Sequence, residues 1–157
     1  MHRLIAIALI SATFADEPVE FTGPAHVIEG DTITVGTARI GLYGIAAPER
    51  DQICRHDGQS WPCGLAAVSA LRRKVHGQTV TCAARGKDQS HRTLAVCVLG
   101  AEDLGAWLVA EGWAVAYRRY STDYASQENE ARAARRGLWS GEFEMPWDWR
   151  RGSSPKR

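Results

Sequence analysis

Short stretches in which apolar and polar residues alternate occupy much of the chain, and glycine-containing turns separate them. Alternation with a period of two indicates strands, because successive side chains of a strand point to opposite faces. Glycine is frequent in tight turns because it adopts backbone conformations that other residues avoid. The pattern therefore predicts five short strands, at 27–29, 32–35, 38–45, 79–84 and 93–99.

Three other segments have the spacing of amphipathic helices. In the segment 58–75, a loop leads into a helix whose apolar residues recur every three or four positions. These residues are Leu65, Val68, Leu71 and Val75. Two more helices are predicted at 104–111 and 122–136, and each is followed by a glycine, which commonly ends a helix.

The order of these elements is three strands, a helix, two strands and two helices. Five short strands with a helix after the third are typical of a small closed Greek-key barrel of the oligonucleotide/oligosaccharide-binding (OB) type. We therefore predict a β-rich α+β fold with a five-stranded OB barrel and three helices.

The first fifteen residues have the pattern of a secretory signal peptide. Arg3 precedes an apolar run at 4–14, and a small residue, Ala15, follows at a suitable cleavage position. The run is too short to cross a bilayer as a helix. A buried N-terminal strand or helix is the alternative. We expect export to the periplasm or the extracellular space, with no membrane span in the mature chain.

The mature chain has the length of one domain. We predict an N-terminal extension at 16–23, a folded domain at 24–150 and a disordered tail at 151–157, and we expect a monomer. Without Arg3, the 19 basic residues become 18 and balance the 18 acidic ones. Because the mature chain then has no net charge, any site for an anion must be local.

The four cysteines suit an oxidising compartment. Cys82 and Cys97 lie in two consecutive predicted strands, where they face each other across a hairpin, and Cys54 and Cys63 flank a single loop. A zinc site is the competing interpretation, but the sequence has no pair of cysteines separated by two residues, and its histidines are scattered. We predict the disulfides Cys54–Cys63 and Cys82–Cys97, although four cysteines permit three pairings.

One motif suggests a family. Residues 30–32 read Gly-Asp-Thr, and residues 40–49 read Ile-Gly-Leu-Tyr-Gly-Ile-Ala-Ala-Pro-Glu. They resemble the active-site strand and loop of the staphylococcal nuclease (thermonuclease) family. Further blocks resemble later parts of that family in the same order, at 64–67, 87–95, 103–117 and 131–139. The resemblance implies an OB-fold nuclease that hydrolyses phosphodiester bonds of single-stranded DNA or RNA with calcium.

The resemblance also implies roles for individual residues. Glu49 matches the glutamate that activates water, and Arg92 matches one of two arginines that bind phosphate. Asp31 matches a calcium ligand, and Ala47 stands where a backbone carbonyl binds the same ion. Taken alone, the three charged residues also suit simpler roles: a solvated loop or helix-capping carboxylate, a surface arginine and a turn aspartate.

Two positions depart from the family pattern. Gly41 stands in place of the other arginine, and Ala46 stands in place of a calcium-ligand aspartate. Arg39 lies two residues before Gly41 on the same strand, so both side chains point to one face. Arg39 is therefore a candidate substitute for the missing arginine, although an exposed strand arginine is the interpretation that we favour.

Two aromatic residues complete the candidate site: Tyr117 matches a residue near the family's substrate cleft, and His91 is a candidate phosphate contact. An exposed turn is the alternative for His91, and simple packing is the alternative for Tyr117. The sequence thus predicts an exported thermonuclease-family domain with impaired activity. The alternative function is a non-catalytic OB-fold module that binds nucleic acid, another anionic polymer or a protein partner in the cell envelope.

Overall fold

A closed barrel forms the centre of the computed structural model, which describes residues 15–152. The strands, in chain order, are β1 (Glu20–Glu29), β2 (Thr32–Val35), β3 (Ala38–Leu42), β4 (Ile45–Ala46), β5 (Cys54–His56), β6 (Gln59–Trp61), β7 (Thr79–Lys87), β8 (Thr93–Leu99), β9 (Glu102–Asp103) and β10 (Val115–Ala116). The α-helices are α1 (Cys63–Val75), α2 (Leu104–Ala110), α3 (Ala125–Ala133) and α4 (Pro146–Arg150), and a 3₁₀ helix spans Gly137–Ser140.

The strands β1, β2, β3, β7 and β8 make the barrel. Their order in the sheet is β3-β2-β1-β7-β8, with antiparallel neighbours. Strand β3 then pairs in parallel with β8, so that Gly41 lies opposite Leu94, and the sheet closes. The predicted five-stranded OB-type barrel is therefore confirmed, with four α-helices in place of the three that we predicted.

The main apolar core lies inside the barrel and beneath α1 and α2. Its largest fully buried side chains include Ile33, Ile40, Leu71 and Leu108. Helix α1 buries Val68, Leu71 and Val75 as predicted, but Leu65 is 46% exposed. Successive residues of a helix are rotated by about 100°, so Leu65 lies at the edge of the face that the other three residues share.

Some boundaries differ from the prediction. Strand β1 begins at Glu20, inside the segment predicted as an N-terminal extension, and α3 is shorter than the predicted helix at 122–136. Helix α4 was not predicted; it starts at Pro146, a residue suited to the first position of a helix. The predicted leader, apart from residue 15, and the tail beyond residue 152 lie outside the described residues. Within the described part, no helix is long and apolar enough to span a membrane.

Both predicted disulfides are present. Cys82 and Cys97 are register partners on β7 and β8, and Cys54 is joined to Cys63 at the start of α1. The zinc interpretation was wrong, because the pairing leaves none of the four cysteines free. Disulfides of this kind indicate a non-cytoplasmic environment.

Candidate active site

Asp31 lies in the tight turn between β1 and β2. Its Oδ2 accepts a hydrogen bond of 2.8 Å from the backbone N–H of Ala47, and its Oδ1 accepts one of 3.0 Å from the Thr32 hydroxyl. The turn approaches the Ala47 loop closely: a Cβ on Gly30 would lie 2.7 Å from the Cβ of Ala47. Asp31 is therefore fixed against the loop that carries the predicted base.

Arg92 is held beside Asp31 by two polar contacts. Its Nη1 donates to the buried Thr32 hydroxyl at 2.8 Å, and its Nε donates to Oδ2 of Asp88 at 3.0 Å. Burial by itself would raise the pKa of Asp88, but hydrogen bonds from Arg92 and from the Ser90 N–H outweigh this and lower it. The Asp88 carboxylate therefore stays ionised and holds the Arg92 guanidinium in place.

Gly41 lies directly beneath this guanidinium. A Cβ on Gly41 would lie 2.9 Å from Cζ of Arg92 and 2.9 Å from Cδ2 of Leu94. Arg92 thus occupies the space that a side chain on strand β3 would need. The space beside Gly41 is therefore filled by the Arg92 side chain.

Glu49 forms an ion pair with a residue that we did not predict. Its Oε1 accepts a hydrogen bond of 2.7 Å from Nε of Arg150, on helix α4. Burial alone would lower the pKa of the Arg150 guanidinium, but the hydrogen bond and charge of Glu49, with Asp31, raise it. Arg150 is therefore a permanent positive charge at the site.

The aromatic residues of the C-terminal segment hold α4 in place. The Trp147 ring stacks on Tyr117, with ring centroids 4.9 Å apart and ring planes 13° apart. Nε1 of Trp149 donates to Asp51 at 3.1 Å. Ala46, at the position of the absent ligand aspartate, is 3% exposed and belongs to the apolar cluster against which Tyr117 and Trp147 pack.

Two adjoining cavities open at this site. The first, which we term the aromatic cavity, has a volume of about 190 Å³ and includes Tyr117 and Tyr120 in its lining. The second, the acidic cavity, has a volume of about 220 Å³ and includes Glu29, Arg39, Ala47, Pro48 and Glu49. Three charged residues line both: Asp31, Arg92 and Arg150.

Most of the predicted site residues meet at these cavities. Asp31, Ala47, Glu49, Arg92 and the proposed substitute Arg39 line the acidic cavity, and Tyr117 lines the aromatic one.

The structure does not bring His91 to the site. It occupies an exposed turn position with φ of 61°, and the residues lining the two cavities do not include it. Sequence reasoning missed Arg150 and Glu29. The two tryptophans beside Arg150 were the available signal, because they indicated a segment that packs back on the barrel.

The donor groups at the site do not fit a calcium ion of ordinary coordination. Calcium takes six to eight oxygen ligands. Asp31 already accepts two hydrogen bonds, Glu49 is paired with Arg150, and Ala46 has no side-chain oxygen. Among residues 15–152, no group of three or more His, Cys, Asp or Glu side chains is arranged to hold a metal.

The sequence match is extensive. The family model described as "Staphylococcal nuclease homologue" matches residues 39–141, which is more than half of the chain. The chain belongs to the staphylococcal nuclease family. Members of this family are known to use calcium. This chain differs from that expectation, because its site offers few oxygen ligands for the ion.

Individual relatives of this family member agree with the assignment. It is 32% identical to micrococcal nuclease of Shigella flexneri, over 96% of the chain and 92% of the relative. It is 32% identical to succinoglycan biosynthesis protein ExoI of Rhizobium meliloti (strain 1021), over 90% of the chain and 75% of the relative. An uncharacterized endonuclease of Haemophilus influenzae is also 32% identical, over 80% of the chain and 70% of the relative.

Proposed function

We propose that this domain binds the phosphodiester backbone of single-stranded DNA or RNA across the two cavities and hydrolyses it slowly. The observation that carries the proposal is the meeting of Glu49, Asp31 and Arg92 at one cavity. These residues match the family's base, ligand and phosphate-binding positions. Nuclease relatives that cover most of the chain support the same reaction class.

Arg92 is suited to hold the phosphate. Arginine has five N–H donors, and within residues 15–152 two of those on Arg92 bond to Thr32 and Asp88. The remaining donors are available to the phosphoryl oxygens, where negative charge develops during hydrolysis. Because Thr32 and Asp88 fix the guanidinium, little ordering is required when the substrate binds.

Glu49 is suited to orient and deprotonate the attacking water. Arg150 engages its Oε1, which leaves Oε2 as an acceptor for a water molecule. The side chain of Glu49 is 30% exposed, so water reaches it directly.

We propose that the activity is impaired. Loss of one donor aimed at developing charge typically lowers the rate by about 10²–10³, and Gly41 provides no such donor. Ala46 removes a hard oxygen ligand, which weakens calcium binding. We therefore expect slow hydrolysis with a weak response to calcium.

The test uses the purified oxidised protein with single-stranded DNA and RNA, in calcium or in chelator. We expect slow cleavage that is abolished in Glu49→Gln and Arg92→Ala. The matched control is Glu130→Gln, because Glu130 is an exposed glutamate on α3, away from both cavities. Cleavage at an unchanged rate in Glu49→Gln would exclude Glu49 as the base, and rates typical of fully active nucleases would refute the impairment.

We further propose that the protein is exported to the periplasm or the extracellular space and acts as a monomer. The signal-like first fifteen residues and the two disulfides support export. Cell fractionation tests this proposal, and retention of the uncleaved chain in the cytoplasm contradicts it.

The second candidate function is a non-catalytic binding module. Tyr117 and Tyr120 line a cavity with Arg92 and Arg150, an arrangement suited to stacking bases beside a bound backbone. Binding that weakens steeply with salt, without any cleavage, supports this function. Because one relative is named for succinoglycan biosynthesis, succinoglycan should be included as a competitor.

A further inference from the structure

The strand position that carries the second phosphate-binding arginine in the family cannot supply one here. Strand β3 has Gly41 at that position, and the Arg92 guanidinium already lies against its backbone. A site built on Arg92 alone would have one cation facing Asp31 and Glu49. Any second cation for the phosphate must therefore come from another position, and the candidates that line the acidic cavity are Arg39 and Arg150.

Arg150 is placed to supply this charge. It lines both the aromatic and the acidic cavity, together with Asp31 and Arg92. Its contact with Glu49 is made through Nε, so the terminal nitrogens remain available as donors. Its side chain is 54% exposed, so a ligand in either cavity can reach it from solvent.

The other candidate, Arg39, is less well placed. It lines the acidic cavity only, whereas Arg150 also reaches the aromatic cavity beside Tyr117. A phosphodiester with its base in the aromatic cavity would therefore have Arg150 within that cavity, whereas Arg39 lines only the neighbouring one. The charge of Arg39 also acts on Glu29. Burial raises the pKa of the Glu29 carboxyl, and the nearby positive charge of Arg39 opposes this rise.

Helix α4 is anchored in a way that fixes Arg150. Two contacts attach α4 to the rest of the domain: the Trp147 ring stacks on Tyr117, and Trp149 donates a hydrogen bond to Asp51. Pro146 is buried at the start of the helix. The charge is thus delivered by a docked helix rather than by a free tail.

We propose that Arg150 is the second phosphate-binding arginine of this site and that it acts with Arg92 on the same phosphate. The proposal rests on the proposed function, because it assumes that a phosphodiester occupies the two cavities. It assigns to α4 the part that strand β3 plays elsewhere in the family.

The experiment measures equilibrium binding of a fluorescein-labelled oligothymidylate, with gel electrophoresis to check that the oligonucleotide stays intact, followed by steady-state cleavage kinetics. The variants are Arg150→Ala, Arg150→Lys, Arg92→Ala and Arg39→Ala. The control is Arg151→Ala, because Arg151 is the neighbouring exposed arginine and lines neither cavity. Near-ultraviolet circular dichroism shows whether the stack of Trp147 on Tyr117 persists in each variant.

We expect Arg150→Ala to weaken binding about tenfold or more, because it removes a charged donor from the phosphate. Its salt dependence, as the slope of log K against log salt, should fall by about 0.7, because one phosphate of the single strand is no longer neutralised. Arg150→Lys should recover part of the affinity, since it keeps the charge but not the planar fork. Arg39→Ala should weaken binding less than Arg150→Ala, and Arg151→Ala should change affinity less than about twofold.

Three results would overturn the proposal. Unchanged affinity in Arg150→Ala, with an intact tryptophan signal, would show that Arg150 does not contact the ligand. Faster cleavage in Arg150→Ala or Arg150→Lys would show that Arg150 blocks Glu49 instead. A larger drop in affinity in Arg39→Ala than in Arg150→Ala would assign the second cation to β3. If Arg92→Ala has no effect either, the proposed function itself fails, which separates the two outcomes.

Discussion

Adding a single methyl group at Gly41 tests how Arg92 is held. In Gly41→Ala, the new Cβ lies 2.9 Å from both Cζ of Arg92 and Cδ2 of Leu94, closer than carbon atoms pack. The backbone cannot retreat, because Gly41 is paired with Thr32 of β2 on one side and with Leu94 of β8 on the other. The two side chains must therefore move.

The cost follows from the hydrogen bonds that Arg92 must break when it moves. The hydrogen bond to the buried Thr32 hydroxyl is charge-assisted, and breaking it costs about 1.5–3 kcal/mol. The ion pair with Asp88 is partly exposed and adds about 0.5 kcal/mol after allowance for solvent. Replacing glycine within a strand returns about 0.5–1 kcal/mol of backbone entropy. We expect a net destabilisation of about 1–3 kcal/mol.

Two measurements check this reasoning. Urea unfolding gives the change in the free energy of unfolding, and NMR titration gives the pKa of Asp88. That pKa should rise toward its ordinary value of 3.8, because the hydrogen bonds from Arg92 that lower it are broken. In the Arg92→Ala background, Gly41→Ala should cost less, since only the contact with Leu94 remains. Equal stability of Gly41→Ala and the parent protein, with an unchanged pKa of Asp88, would refute the placement of Arg92.

The remaining predictions concern two other carboxylates. Burial, with the charges of Glu49 and Asp31, raises the pKa of Glu29, and its Oε2 is buried without a hydrogen-bond partner among the described residues. The ionised form of Glu29 therefore destabilises the fold, so Glu29→Gln should raise Tm at neutral pH. This gain in Tm should shrink as the pH falls through the folded-state pKa of Glu29, and it should vanish well below 4.5. A gain that does not depend on pH would contradict the assignment. Glu128 is 3% exposed, accepts from the Ala116 N–H and pairs with Arg118. Urea unfolding should show that Glu128→Ala lowers the free energy of unfolding by about 2–3 kcal/mol. Glu128→Gln should lower it by less than half as much, because glutamine keeps an acceptor. Equal effects of the two variants would show that the hydrogen bond contributes little.

The barrel was predictable because its signals are local. Strand β2 follows from four alternating residues between turn glycines, and its bounds match the prediction. Cys82 and Cys97 could be paired because two consecutive strands place them opposite each other. The first half of β1 was missed because it is mostly polar and exposed and includes Pro24, which weakens a strand signal.

The candidate site was less predictable because some of its contacts join distant parts of the chain. Glu49 and Arg150 are 101 residues apart, and no local pattern relates them. Helix α4 has five residues, which is too short to show a helical period. The position of Arg92 over Gly41 depends on the parallel pairing of β3 with β8, which only the closed barrel creates.

The two departures from the family pattern have structural counterparts in this chain. At position 41, the absence of a side chain allows the Arg92 guanidinium to lie against the strand. At position 46, alanine belongs to the apolar cluster on which Trp147 packs, and it also lines the aromatic cavity, to which it contributes no side-chain oxygen. Trp147 in turn belongs to the helix that brings Arg150 to Glu49. A metal ion and the Arg150 guanidinium would repel each other at these carboxylates. The absence of a metal ligand at position 46 and the presence of an arginine at position 150 are therefore consistent parts of one arrangement, in which a docked helix supplies positive charge to the site.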